Sequence, residues 1–171
     1  MATVSEQVVE STWRRVGSMA PASARHSMES AGNRQPELLA YVLASVSESR
    51  RTVQELGVYV YHVFLQMFES AARVRVKRVS QADVEQHASR NETLLLDLQS
   101  THPRLMERVG RVEVSRQPHV MRYVCDALFE QAEPDSDIKL TDDESGLLFL
   151  ALKTVVDALD EVDAAEGEGP A

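Results

Sequence analysis

Arg34-Gln35-Pro36-Glu37-Leu38-Leu39-Ala40-Tyr41-Val42 returns 82 positions later as Arg116-Gln117-Pro118-His119-Val120-Met121-Arg122-Tyr123-Val124, with Arg-Gln-Pro and Tyr-Val kept in place. Between and beyond these identities, Leu38, Leu39, Val42, Leu43 and Val46 fall on Val120, Met121, Val124, Cys125 and Leu128. Both sets have the spacing of one buried helical stripe. In both, the proline suits the first helical position, where a missing N–H costs nothing. Further out, Thr52-x-x-Glu55-x-Gly57 matches Thr141-x-x-Glu144-x-Gly146, and Met28-Glu29-x-x-Gly32 matches Met106-Glu107-x-x-Gly110. Glu6-Gln7 answers Glu85-Gln86 more weakly. Amphipathic helices share apolar spacing by default, but not an ordered series of polar and glycine identities. The sequence therefore predicts an all-α helical bundle from internal tandem duplication of a helical hairpin unit, with pseudo-repeats 34–71 and 116–161 related by a roughly twofold rotation.

Helix starts are legible as Ser or Thr followed three residues later by an acid, a pair that caps side chain to backbone in both directions. Thr3/Glu6, Thr52/Glu55, Ser80/Asp83 and Thr141/Glu144 fit. Helices are expected over 4–16, 36–49, 53–71, 81–99, 103–110, 118–131 and 142–161. Residues 17–35, rich in Ser, Ala and Gly, read as a loop or flexible linker that ends an N-terminal segment 1–35. The single helical domain then covers 36–163, and 164–171 reads as a disordered acidic tail. Arg73-Val74-Arg75-Val76-Lys77-Arg78-Val79 and Arg111-Val112-Glu113-Val114 alternate apolar and charged residues, which suits one small two-stranded β-pair.

Leu56, Val58, Val60, Val63, Phe64, Leu65, Met67 and Phe68 make one helix apolar on most sides, and Leu147 to Leu159 makes another. Such helices belong in an interior. Gly57 and Gly146 are expected to let these two helices approach closely, and Leu43 and Cys125 to be equivalent buried residues.

At 171 residues the chain buries enough surface to fold without a disulfide or metal. Cys125 is the single cysteine, which excludes an intramolecular disulfide and favours a cytoplasmic setting. No apolar run approaches the roughly 20 residues of a membrane span, and the N-terminal residues lack a secretory pattern. The net charge of −9 is polarised, with +3 over residues 1–125 and −12 over 126–171. The acidic end argues against nucleic acid as partner.

Chemical signatures are thin. Asp83 and His87 stand one turn apart, a spacing that can share a metal, but no second pair joins them; a solvated polar face is the simpler account. No cofactor motif is present. Glu55, Tyr59, His62, Gln66 and Glu69 form a polar stripe on the apolar helix 53–71, a candidate ligand pocket that could use its histidine and a glutamate as acid and base. The plainer expectation is that this stripe faces solvent. Its counterparts Glu144, Leu148, Ala151, Val155 and Ala158 are mostly apolar, so such a site is not duplicated. Arg73, Arg75, Lys77 and Arg78 form the densest basic cluster, with Arg104, Arg108 and Arg111 as a second row. Arginine forks suit oxyanions, but aromatic residues for base stacking are missing nearby. Together these features point to a non-enzymatic cytoplasmic interaction or regulatory module, a homodimer with 73–78 near acidic residues of its partner. Small-molecule binding near His62, and then an anionic or nucleic-acid partner at the basic cluster, are the alternatives.

Overall fold

The computed structural model describes residues 2–101, 115–129 and 139–167. Its helices are α1 (Glu6–Gly17), α2 (Pro21–Arg34), α3 (Pro36–Ser45), α4 (Arg51–Ala72), α5 (Gln81–Thr101), α6 (Pro118–Phe129) and α7 (Asp142–Gly167). The described residues contain no strand, so the fold is all-α. The expected helix 103–110 and the second β segment 111–114 lie outside the described residues.

The long, largely buried helices α4 and α7 pack on one another at the centre. α1 and α2 flank α4, α5 flanks α7, α3 touches α4, α5 and α7, and α6 touches α7 and α1. Tyr61, Val63, Phe64, Leu65, Met67 and Phe68 on α4 and Leu148, Leu152, Val155, Val156 and Leu159 on α7 belong to one continuous buried cluster. At Gly57 an added Cβ would lie 3.2 Å from Leu148 and 3.4 Å from Val42, so a side chain here would push α3 and α7 away. At Gly146 it would meet nothing within 4 Å. Close approach thus depends on one of the two glycines, not both.

In α3 and α6 the burial pattern runs in parallel. Leu38, Val42 and Val46 are buried, as are Val120, Val124 and Leu128; Leu39 and Met121 are partly buried. The expectation of burial fails at the next pair, where Leu43 is 43% exposed and Cys125 is only partly covered. Residues four apart define the seam, and Leu43 and Cys125 each lie one helical step, about 100°, past its last wall.

Two of the expected caps form. Ser80 and Asp83 exchange backbone N–H bonds reciprocally, as do Thr141 and Glu144. The other two do not. The α1 cap is Ser5, and Thr3 donates instead to the Arg116 carbonyl. α4 begins at Arg51, ahead of Thr52, and Glu55 pairs with Arg51.

The stretch expected as a linker is largely helix α2. Its apolar signal is weak because it needs little side-chain bulk: a Cβ at Gly32 would stand 2.7 Å from Leu39 of α3, so the backbone itself makes the contact. α7 runs to Gly167, past the expected end at 161; residues 168–171 lie outside the described set.

Residues 74–80 are extended but join no ladder. Arg73 ends α4 in the left-handed region at φ 57°. The alternation expected to mark a strand instead serves a side-chain clamp. The buried Gln35 accepts from the Val79 N–H (2.9 Å) and donates to the carbonyls of Lys77 (2.6 Å) and Val76 (3.4 Å). Gln117, also buried, treats the lead-in to α1 the same way. It accepts from the Val4 N–H (2.8 Å), donates to the Ala2 carbonyl (3.5 Å) and donates to Asp160 (2.6 Å). Val4 and Val79 are both fully buried. Beside each clamp the preceding arginine meets an acid on a central helix, Arg34 on Glu69 and Arg116 on Asp160.

Candidate functional site

The polar stripe of α4 does not face solvent as a whole. α1 and α2 cover its middle, because both helices pack along α4 on that side. Glu55, at the open end, is exposed and pairs only with Arg51. Tyr59 is half-buried near Gly17, and burial raises its phenol above the ordinary value. His62 is fully buried. Gln66 accepts from Arg15 of α1 at 3.3 and 3.4 Å, and Arg15 reaches on to Ser70. Glu69 takes both arms of Arg34 at 3.1 and 2.9 Å, while Arg34 also donates to Ser30 at 2.6 Å.

His62 is the unusual member. Its Nε2 lies 2.8 Å from Ser27 Oγ of α2, and its Nδ1 has no hydrogen-bond partner among the described residues. Burial, then the positive charges of Arg15 and Arg34, push its pKa down to about 4. The imidazole is therefore neutral at pH 7. A serine oxygen beside a histidine nitrogen has the outline of a nucleophile and its base. The likeness goes no further. No acid orients Nδ1, and a base held near pKa 4 takes a proton poorly at neutral pH.

Stripe members differ in what they support. Glu69→Ala leaves the mostly covered Arg34 guanidinium without its carboxylate and is expected to cost about 2 kcal/mol. Glu55→Ala removes an exposed pair and is expected to cost at most about 0.5 kcal/mol. Urea unfolding of the two variants checks the contrast; equal effects would mean that the stripe is uniform.

The basic cluster divides in the same way. Arg78 forks onto Glu37 of α3 and holds that carboxyl below its ordinary value. Arg73, Arg75 and Lys77 are exposed on the segment that Gln35 fixes. The second row, Arg104, Arg108 and Arg111, lies outside the described residues. Asp83 is used in its cap and His87 bonds Glu161 at 2.6 Å, so they do not act as a pair; His87 is buried, not on a solvated face.

A further polar cluster escaped the reading of the sequence. Lys153, 4% exposed, bonds Asp157 at 2.5 Å; Asn91 of α5 donates to Asp157 at 3.0 Å and to Thr154 at 3.2 Å; Tyr41 of α3 reaches Thr154 at 3.4 Å. It ties three helices together. The available signal was a Lys and an Asp one turn apart inside an otherwise apolar stretch of α7. Among the described residues no group of three or more His, Cys, Asp or Glu is placed to hold a metal, and no helix is long and apolar enough to cross a membrane. Comparison with protein-family models, curated proteins and solved structures found no match to this chain.

Proposed function

We propose that this chain is a non-enzymatic cytoplasmic interaction or regulatory module, formed by tandem duplication, whose basic segment 73–78 docks an acidic surface, first of all that of a second copy. The observation that carries this reading is the fixed backbone of that segment. Gln35 holds two of its carbonyls and one N–H, and Val76 and Val79 are buried beneath. Arg75, exposed next to these held positions, thus projects from a rigid support, which lowers the ordering cost of a contact. The acidic counterpart is at hand, since residues 126–171 carry −12. Such complementarity sets orientation and encounter rate more than affinity.

The clamps support the duplication and correct its register. A shift of 75 places Val4-Ser5 on Val79-Ser80 and Val9-Glu10 on Val84-Glu85, in place of the Glu6/Glu85 match. Equivalent N–H groups then meet equivalent glutamines. The central helices are enclosed by their neighbours, so the dimer needs surface groups, among which Trp13, Leu43 and Leu147 are each more than 40% exposed.

Sedimentation equilibrium at low and high salt is the test. The expected result is a dimer at micromolar concentration that weakens as salt rises, because screening acts on exposed charges. Arg73→Glu with Arg75→Glu should shift it to monomer at low salt. A monomer in both conditions refutes the dimer; a dimer indifferent to salt and to the double variant refutes the role of the basic segment. A second reading, small-molecule binding near His62, is favoured by the unpaired Nδ1. Ligand-dependent thermal stabilisation that His62→Ala abolishes would support it.

A further inference from the structure

α2 carries the least packing of its own. Its only buried residues are Ala31 and Gly32, and its start at Ala20 has no side-chain cap. Three polar contacts tie it to α4. Ser27 meets His62, Tyr61 Oη donates to the Ala31 carbonyl at 3.2 Å, and Arg34 forks onto Glu69. The first is the only one to involve a group that titrates from neutral to cationic.

The surroundings of His62 leave no place for a second proton. From α1 it faces Arg15, and from α2 Arg34. Its own helix places Tyr59, Gln66 and Glu69 on the same face. Glu69 is the one anion among these groups, and Arg34 occupies it. We propose that α2 is a proton-released flap: a cationic His62 cannot stay enclosed beside two guanidiniums with Nδ1 unpaired, so α2 lifts and lets water reach the ring. Lifting uncovers Tyr61 and Leu39, the α4 and α3 side chains beneath Ala31 and Gly32. The flap stands independently of the dimer.

The direction follows from the proton balance of the two forms. The open form binds the proton near the ordinary value of 6.5, the closed form only near 4. Opening is therefore independent of pH above 6.5 and rises about tenfold per pH unit below it, levelling off near 4. At pH 5 the open fraction should be about 20-fold higher than at pH 7.

Native-state hydrogen exchange at pH 7 and pH 5, corrected for intrinsic rates, tests this residue by residue. Protection of the α2 amides should fall about 20-fold, while that of α5 changes by less than a third as many powers of ten. His62→Gln, which cannot charge, should abolish the pH effect in α2. Unchanged α2 protection at pH 5 overturns the flap. An equal fall in α2 and α5 also overturns it, because the opening is then global. Persistence of the effect in His62→Gln overturns the role of the histidine and transfers it to the Arg34–Glu69 pair. Should that variant not fold, the comparison of α2 with α5 in the unaltered protein decides.

Discussion

Gln35→Met is expected to destabilise the protein by about 3 kcal/mol, although it leaves almost no cavity. Methionine has nearly the volume of glutamine and is tolerated in most cores. What it lacks is the amide. Without it the buried Val79 N–H loses its partner, at about 1–3 kcal/mol for an orphaned group, and the Val76 and Lys77 carbonyls each lose a donor. Gln117→Met should cost a similar amount, because the buried Val4 N–H and the Asp160 carboxylate are both left short. With total stability of about 5–15 kcal/mol for a domain, either change should lower Tm by about 6–12 °C. Chemical denaturation gives the free energy directly. If both methionine variants match the parent, the glutamines are fillers and the clamps have no energetic meaning.

Lys153→Ala is expected to cost about 3 kcal/mol, at the low end for breaking a buried ion pair because Asp157 keeps 21% side-chain exposure and the Asn91 bond. The second arm distinguishes a stabilising pair from a mutually dependent one. Lys153→Met with Asp157→Asn removes both charges and leaves an amide for Asn91 to meet. That double variant should return to within about 1 kcal/mol of the parent, since the desolvation of two charges offsets much of their attraction. Thermal and urea unfolding of the single and double variants completes the cycle. A double variant worse than Lys153→Ala would mean that the ion pair contributes strongly in its own right. The network would then join α3, α5 and α7 through charge, not only through shape.

The sequence made the central helices and the α3 and α6 seams legible because apolar residues recur there at helical spacing. Where the reading failed, a polar or small residue was doing structural work that periodicity cannot register. Ser, Ala and Gly between 17 and 35 suggested a loop, yet Gly32 is what lets α2 lie against Leu39. The alternation at 73–79 suggested strand pairing, yet the partner of that backbone is one glutamine side chain. Gln35 and Gln117 were visible as a repeated tripeptide, but a repeat does not say which backbone a side chain will reach. For the stripe, spacing placed His62 and Glu69 on one face correctly. It could not show that α1 and α2 would close over them, because that depends on helices brought in from elsewhere in the chain.

The clamps also impose an order on synthesis. Gln35 and Val79 are 44 residues apart, whereas Val4 must wait for Gln117, 113 residues downstream. At about 5–20 residues per second, the first latch can close about 2–8 seconds before the second has a receptor. During that interval the nascent chain can seat α5 against α3 while the lead-in to α1 remains unheld. Val4 is made before its receptor by 113 residues, so a ribosome that stalls before residue 117 would display Val4 to whatever binds unfinished chains.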